Sequence, residues 1–172
     1  MISYKQSINI LKKSKILIKD ELIKSSSCIN RVAAKNILSK ANNPASDNAA
    51  FDGFAINSKD TKNLNKKKSK LFEILGTVAA GDKPLNIRLK KFQAVEIMTG
   101  GVIPKGFDTI IPIEKIVFYP NKIRPTKISI DRKIKKYQHI RFKGSDFKKN
   151  DLLIKKGSIL KSNHILALKT LG

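Results

Sequence analysis

Apolar residues near the start of the chain recur at helical spacing, whereas those of the middle come in short β-branched runs cut by turn residues. Tyr4, Ile8 and Leu11 fall on one stripe, and Ser3-x-x-Gln6 has the form of a capping box, so the spacing predicts an amphipathic helix over residues 4–14. Ser25, Ser26 and Ser27 stand where a second helix could be capped, running through Cys28, Val32 and Ala33 to Ala34. Residues 36–40 then read as extended, and Asn42-Asn43-Pro44 breaks the chain. The region before this break is expected to be mostly helical.

From Phe54 onward the expected elements are strands over 72–79, 94–98, 109–117 and 127–130. Gly76, Gly81-Asp82 with Pro84, and Gly100-Gly101 with Pro104 and Gly106 mark sharp turns or places where a ligand could approach bare backbone. After Pro120 and Pro125, Ile140-Arg141-Phe142-Lys143-Gly144-Ser145-Asp146 leads into a strand near Leu152-Leu153-Ile154, left through Gly157. A closing helix is predicted from Ser162 or Asn163 as cap, with Ile165, Leu166, Leu168 and Leu171 as apolar positions and Gly172 at its C-terminal cap. The fold class is α+β in two lobes: residues 1–44 with 137–172 form a helix-and-strand lobe, and residues 45–136 an inserted β-rich lobe.

Composition adds three constraints. A chain of 172 residues is long enough to bury a core, and with aromatics at 6% and no Trp that core is expected to be aliphatic. Thirty-six Lys and Arg against thirteen Asp and Glu leave a net charge of +23. Such a field attracts phosphates, nucleic acid or anionic membrane. Lysine outnumbers arginine and is spread along nearly the whole chain, which reads as a solvated background rather than a nucleic-acid groove; the run Lys66-Lys67-Lys68-Ser69-Lys70 is expected in an exposed loop. The lone Cys28 excludes an intrachain disulfide, no apolar stretch is long enough to span a bilayer, and Lys12, Lys13 and Lys15 interrupt any signal-peptide core. A cytoplasmic location is expected.

Candidate chemistry sits in two stretches. Asp47-Asn48-Ala49-Ala50-Phe51-Asp52-Gly53-Phe54 packs carboxylates and an amide around a glycine, which makes Asp52 the leading site residue. An Asp before Gly is also an ordinary turn former, and Asp47 and Asn48 read as shapers of that turn. Glu96-Ile97-Met98-Thr99-Gly100-Gly101 runs an apolar strand into a Thr-Gly-Gly turn, where Thr99 serves either a ligand or a strand-end amide. Asp146 could cap a turn, and Arg141 could position a phosphate or make a surface ion pair. His139, His164 and Cys28 lack the partners for zinc or nucleophilic catalysis and read as structural.

Taken in order, DNAAFDGFAI (47–56), EIMTGGVIPKGFDTIIPIE (96–114) and IRFKGSDFKKNDLLIKKG (140–157) resemble the N-terminal half of the molybdopterin molybdenumtransferases, whose bacterial members are called MoeA and whose animal counterpart is the gephyrin E domain. Asn30-Arg31-Val32-Ala33-Ala34 is similar to the family's Gly-Arg-Val-Leu-Ala segment. The resemblance implies irregular, coiled and bifurcated sheets with short helices. It implies an enzyme of molybdenum cofactor biosynthesis that inserts molybdate into adenylylated molybdopterin with a divalent cation, Mg²⁺. It matches Asp52, Thr99 and Asp146 to catalytic positions, Gly53, Gly100 and Arg141 to substrate binding, and Asp52 and Asp146 to metal. Hard carboxylate oxygens suit Mg²⁺, a Thr hydroxyl can donate to an oxyanion, and bare glycine amides suit phosphate or molybdate. A homodimer and contact with the molybdopterin adenylyltransferase are implied as partners.

The chain departs from the family where Ala49 replaces a Ser, Ser145 a Glu and Asn30 a Gly. The family's pterin-binding third domain and small β-domain have no counterpart in these 172 residues. Because the family's cleft closes across a dimer between the third domain of one subunit and the second of the other, the resemblance implies that this chain supplies one wall, is a piece of a longer protein and does not turn over alone. A non-catalytic scaffold and, more remotely, a basic nucleic-acid binder are the rival readings.

Overall fold

The computed structural model describes residues 2–14, 18–83, 85–86 and 88–170. Along the chain these form α1 (Tyr4–Lys13), β1 (Ile37–Leu38), β2 (Asn48–Ala49), β3 (Gly53–Ile56), β4 (Lys70–Val78), β5 (Gln93–Ile97), β6 (Thr109–Pro112), β7 (Val117–Tyr119), β8 (Lys127–Ile130), β9 (Ile140–Arg141), β10 (Leu152–Ile154) and α2 (Ser162–Thr170). The chain divides into a unit built from both ends, Met1–Leu38 with Leu152–Gly172, and a unit of Ser39–Asp151. The helices, Pro-broken turns and curled sheets make an α+β fold.

In the unit of chain ends, α1 begins as its sequence dictates. Ser3 Oγ accepts from the Gln6 N–H at 3.3 Å and Gln6 Oε1 accepts from the Ser3 N–H at 2.8 Å, a complete capping box. Lys12 and Lys13 in the last turn complement the helix dipole, and Ser14 turns extended at the C-cap. No residue of α1 is buried, and Tyr4 and Leu11 are 83% and 68% exposed.

The second N-terminal helix is not formed. Ser25–Ser27 makes one 3-10 turn, after which the backbone pairs across the chain: the Asn30 N–H donates to Leu160 O at 2.8 Å, the Leu160 N–H to Arg31 O at 2.7 Å and the Ala33 N–H to Ser158 O at 2.9 Å. Those distant partners supply the bonds a helix would have supplied, and Asn30 sits at φ 61°, outside helical geometry. Among the described residues before Pro44, α1 is thus the only α-helix. β1 and β10 pair antiparallel, and Cys28, Ala33, Ile154 and Leu160 form the buried core against Ile37, Leu153, Ile165 and Leu168. Ser162 and Asn163 lie inside the first turn of α2 rather than capping it; Lys161 stands at the N-cap, its carbonyl accepting from the Ile165 N–H and its N–H donating to His164 Nδ1, both at 3.1 Å. The expected roles of Leu171 and Gly172 at this helix's end, of Pro84 in a turn and of Lys15 lie outside the described residues.

The Ser39–Asp151 unit is built on a six-stranded sheet of order β6-β3-β5-β4-β8-β7, in which only the β4/β5 pair is parallel. β3 is buried at every position, so it shows a continuous apolar run instead of alternation: Phe54 and Ile56 join one core cluster with Phe72 and Ile128, while Ala55 joins another with Val78, Val95, Ile97 and Ile110. β8 spans the expected residues, and β4 and β5 lie within two residues of expectation. The strand expected over 109–117 is two strands at opposite edges of the sheet, β6 and β7, joined by a 3-10 turn at Ile113–Lys115. The Ile113 N–H donates to Asp52 O at 3.0 Å, one step past the Gly53↔Pro112 pair, so β6 stays on β3 up to the 3-10 turn, beyond which β7 pairs with β8 instead. Lys66, Lys67 and Lys68 are exposed in a turn as expected, while Lys70 opens β4. No described helix is long and apolar enough to cross a membrane.

Candidate functional site

Residues 47–52 form the seam on which the three sequence motifs meet. On one edge, the Ala49 N–H donates to Gly101 O and the Gly100 N–H to Ala49 O, both at 2.9 Å, and the Ile103 N–H donates to Asp47 O at 3.0 Å. On the other, β2 pairs with β9 in the register Asn48↔Arg141 and Ala49↔Ile140, and the Ala50 N–H continues the ladder to His139 O at 3.0 Å. A short extended segment between two partners must have small residues where the chains crowd, and Ala49 is 2% exposed. A Ser there would sit in the same buried space.

Two side-chain pairs hang from this seam. Asp52 Oδ1 accepts from both the backbone N–H and the hydroxyl of Thr99, each at 2.6 Å. The Thr99 hydroxyl and then its N–H hold the Asp52 carboxyl below the usual value of 3.8, so the exposed side chain is ionised at neutral pH. The single hydroxyl proton of Thr99 is thereby committed to Asp52, and the donation to an oxyanion expected of Thr99 is not made in this arrangement. The second pair is Arg141 with Asp146, whose Oδ2 accepts from the guanidinium and also from Asn43 Nδ2 at 3.0 Å. No hydrogen bond joins the two pairs among the described residues.

The glycines have packing reasons for being glycine. A Cβ on Gly53 would lie 2.0 Å from Ile111 O, because β3 is clamped between β5 and β6. Gly100 has φ +84°, and its N–H, like that of Gly101 bonded to Met98 O at 2.8 Å, is already paired. The free amides expected at this turn for an anion are therefore taken. Among the described residues no group of three or more His, Cys, Asp and Glu side chains gathers to hold a metal ion. Asp52 and Asp146 each have one carboxylate oxygen engaged by protein donors, which leaves at most one oxygen apiece for a cation.

Two contributors read from the sequence only as turn or break residues hold the site together. Asn43 grips Asp146 with its side chain and, through its carbonyl, accepts the Asp146 N–H at 3.0 Å. Asp47 accepts the Lys143 N–H at 2.8 Å, which ties the Arg141–Asp146 loop to the seam. Their signal was the Asx-rich stretch itself, since Asn and Asp side chains readily serve as caps for neighbouring backbone. His139 packs edge-on against Phe51 with ring centroids 4.9 Å apart, Cys28 is buried and His164 caps α2, all structural places.

Residues 2–172 match the family model described as MoeA N-terminal region, domains I and II. The chain belongs to this family. It is 28% identical over 171 residues to a molybdopterin molybdenumtransferase of Staphylococcus epidermidis, covering 99% of this chain and 39% of that protein. It is 32% identical over 143 residues to the enzyme of the same name from Haemophilus influenzae, covering 83% of this chain and 33% of that protein. The crystal structure of a molybdopterin biosynthesis moeA protein from Pyrococcus horikoshii OT3 superposes with a TM-score of 0.86 at 29% identity, over 100% of this chain and 44% of that one. The chain thus spans less than half the length of the relatives it matches, and its fold is that of the MoeA N-terminal region.

Proposed function

We propose that this chain is the N-terminal part of a molybdenum insertase, which incorporates molybdate into adenylylated molybdopterin during molybdenum cofactor biosynthesis. The observation that carries the reading is the Asp52–Thr99 pair, an ionised, exposed carboxylate fixed through one oxygen within the stretch that matches the family model. Fixing one oxygen on two donors removes the rotational freedom of the other, which is then available at a defined position to accept a proton or order a water.

In this reading Arg141 receives a substrate phosphate with the guanidinium N–H groups that Asp146 does not occupy, and Asp146 with Asn43 sets the plane of that guanidinium. Asp52 or Asp146 would offer one carboxylate oxygen to Mg²⁺, which when bound would supply neutralisation of phosphate charge. Gly53 and Gly100 act by letting the backbone close up behind Asp52 and Thr99. The chain forms one wall of a cleft completed by further domains in a homodimer, the adenylyltransferase supplies the substrate, and the location is cytoplasmic.

The test is molybdate-dependent release of AMP from adenylylated molybdopterin. The protein purified from its own cells is expected to release AMP only with molybdate present, and residues 1–172 alone to release none. Absence of release by the native protein sinks the insertase reading in favour of a scaffold.

A further inference from the structure

At the end of the sheet opposite the Asp52–Thr99 turn lies a cleft of about 510 Å³, adjoining a smaller hollow of about 180 Å³. β3 runs from Gly53 beside Asp52 to Ile56 beside Asn57, and β5 runs antiparallel to it from Gln93 to Ile97. Strands of four and five residues place the two ends about 13–17 Å apart, so the cleft is a separate feature.

Three segments wall it: the 3-10 turn Ser58–Thr61 with the loop to Leu64, the turn that enters β4, and the turn that enters β5. Together the two hollows gather Lys59, Lys62, Lys68, Lys70, Lys90 and Lys91. None of the six makes an ion pair among the described residues. The one acidic side chain in the lining, Asp60, turns its Oδ2 to the Phe92 N–H at 3.0 Å. That bond holds Phe92 at φ 59°, a strained conformation for a bulky residue. Phe92 and Leu64 form the apolar part of the cleft, and Lys70 Nζ lies 5.7 Å from the Phe92 ring centroid.

We propose that this cleft binds a small ligand carrying two or more phosphate groups. Its volume falls within the roughly 300–1,000 Å³ usual for small-molecule sites. Five lysines line the cleft itself and Lys90 the hollow beside it, against one engaged carboxylate; like charges so gathered favour a multivalent anion that relieves their repulsion. The whole chain has 36 basic to 13 acidic residues, against six to one in the lining of the two hollows.

The experiment titrates residues 1–172 with inorganic tripolyphosphate at physiological salt, following amide shifts by NMR and the melting temperature. The shifts are expected to centre on Leu64 and Phe92, with a raised melting temperature. Replacing Lys62, Lys68 and Lys91 together by Gln should weaken binding roughly tenfold, whereas the charge-matched triple at Lys12, Lys122 and Lys155 should change it less than about twofold. Equal weakening by both triples, shifts scattered over the surface, or no binding at this salt overturns the proposal. Single-stranded DNA that binds tighter than tripolyphosphate, with equal sensitivity to the two triples, would make the charge a nucleic-acid surface and overturn it as well.

Discussion

Asp52 and Thr99, 47 residues apart in sequence, are joined by two hydrogen bonds of 2.6 Å to a single carboxylate oxygen. The pair locks the Thr-Gly-Gly turn to the segment that leads into β3. Asp52→Asn keeps an acceptor for the Thr99 N–H but removes the charge; Asp52→Ala removes both. Hydrogen exchange at the Thr99 amide should therefore speed up clearly in the alanine variant and little in the asparagine variant.

The same pair fixes a pH dependence. The Asp52 carboxyl is depressed in the folded chain, first by the Thr99 hydroxyl and second by its N–H. A depressed carboxyl contributes stability above its unfolded value of 3.8 and loses it as pH falls through the lower, folded value. NMR titration of the Asp52 carboxyl should show its midpoint rising in Thr99→Val and returning toward wild type in Thr99→Ser. An unchanged midpoint in Thr99→Val would remove the hydroxyl as the main cause.

Gly53 is a packing requirement. A methyl group there would sit 2.0 Å from Ile111 O with strands on both sides, so Gly53→Ala should destabilise the Ser39–Asp151 unit by about 3 kcal/mol or more in urea unfolding. Gly81→Ala meets nothing within 4 Å, but its φ of +89° is unfavourable for alanine, at about 1–2 kcal/mol.

Core and periphery should respond differently. Phe54, 1% exposed within the larger core cluster, should cost about 3–5 kcal/mol when replaced by Ala. Leu11→Ala on the exposed face of α1 should stay within about 0.5 kcal/mol in residues 1–172. Ser3→Ala should lower the helicity of α1, by about 1 kcal/mol of helix stability, without moving the main transition.

What could be read from the sequence was what is decided locally. The Ser3–Gln6 capping box and the β8 strand depend on residues within a few positions of each other, and both form where expected. The region 28–34 does not, because its backbone is satisfied by residues 158–160, a pairing no local window contains. The split of 109–117 into β6 and β7 was hidden for a similar reason, since its two halves pair with different and distant strands, β3 and β8. At the site, Asp52, Thr99, Arg141 and Asp146 were each singled out, yet their pairing was not. The clamping of Asp146 by Asn43 could only be seen once the two loops were side by side, because Asn43-Pro44 alone reads as a chain break.

The most direct test of the account compares native protein with its Asp52→Asn variant in molybdate-dependent AMP release, with circular dichroism as the check on folding. A fall of about 100-fold or more with an unchanged spectrum is the predicted result. Full activity in a folded Asp52→Asn protein would contradict the assignment of Asp52 to the reaction and reduce the Asp52–Thr99 pair to a turn fastener.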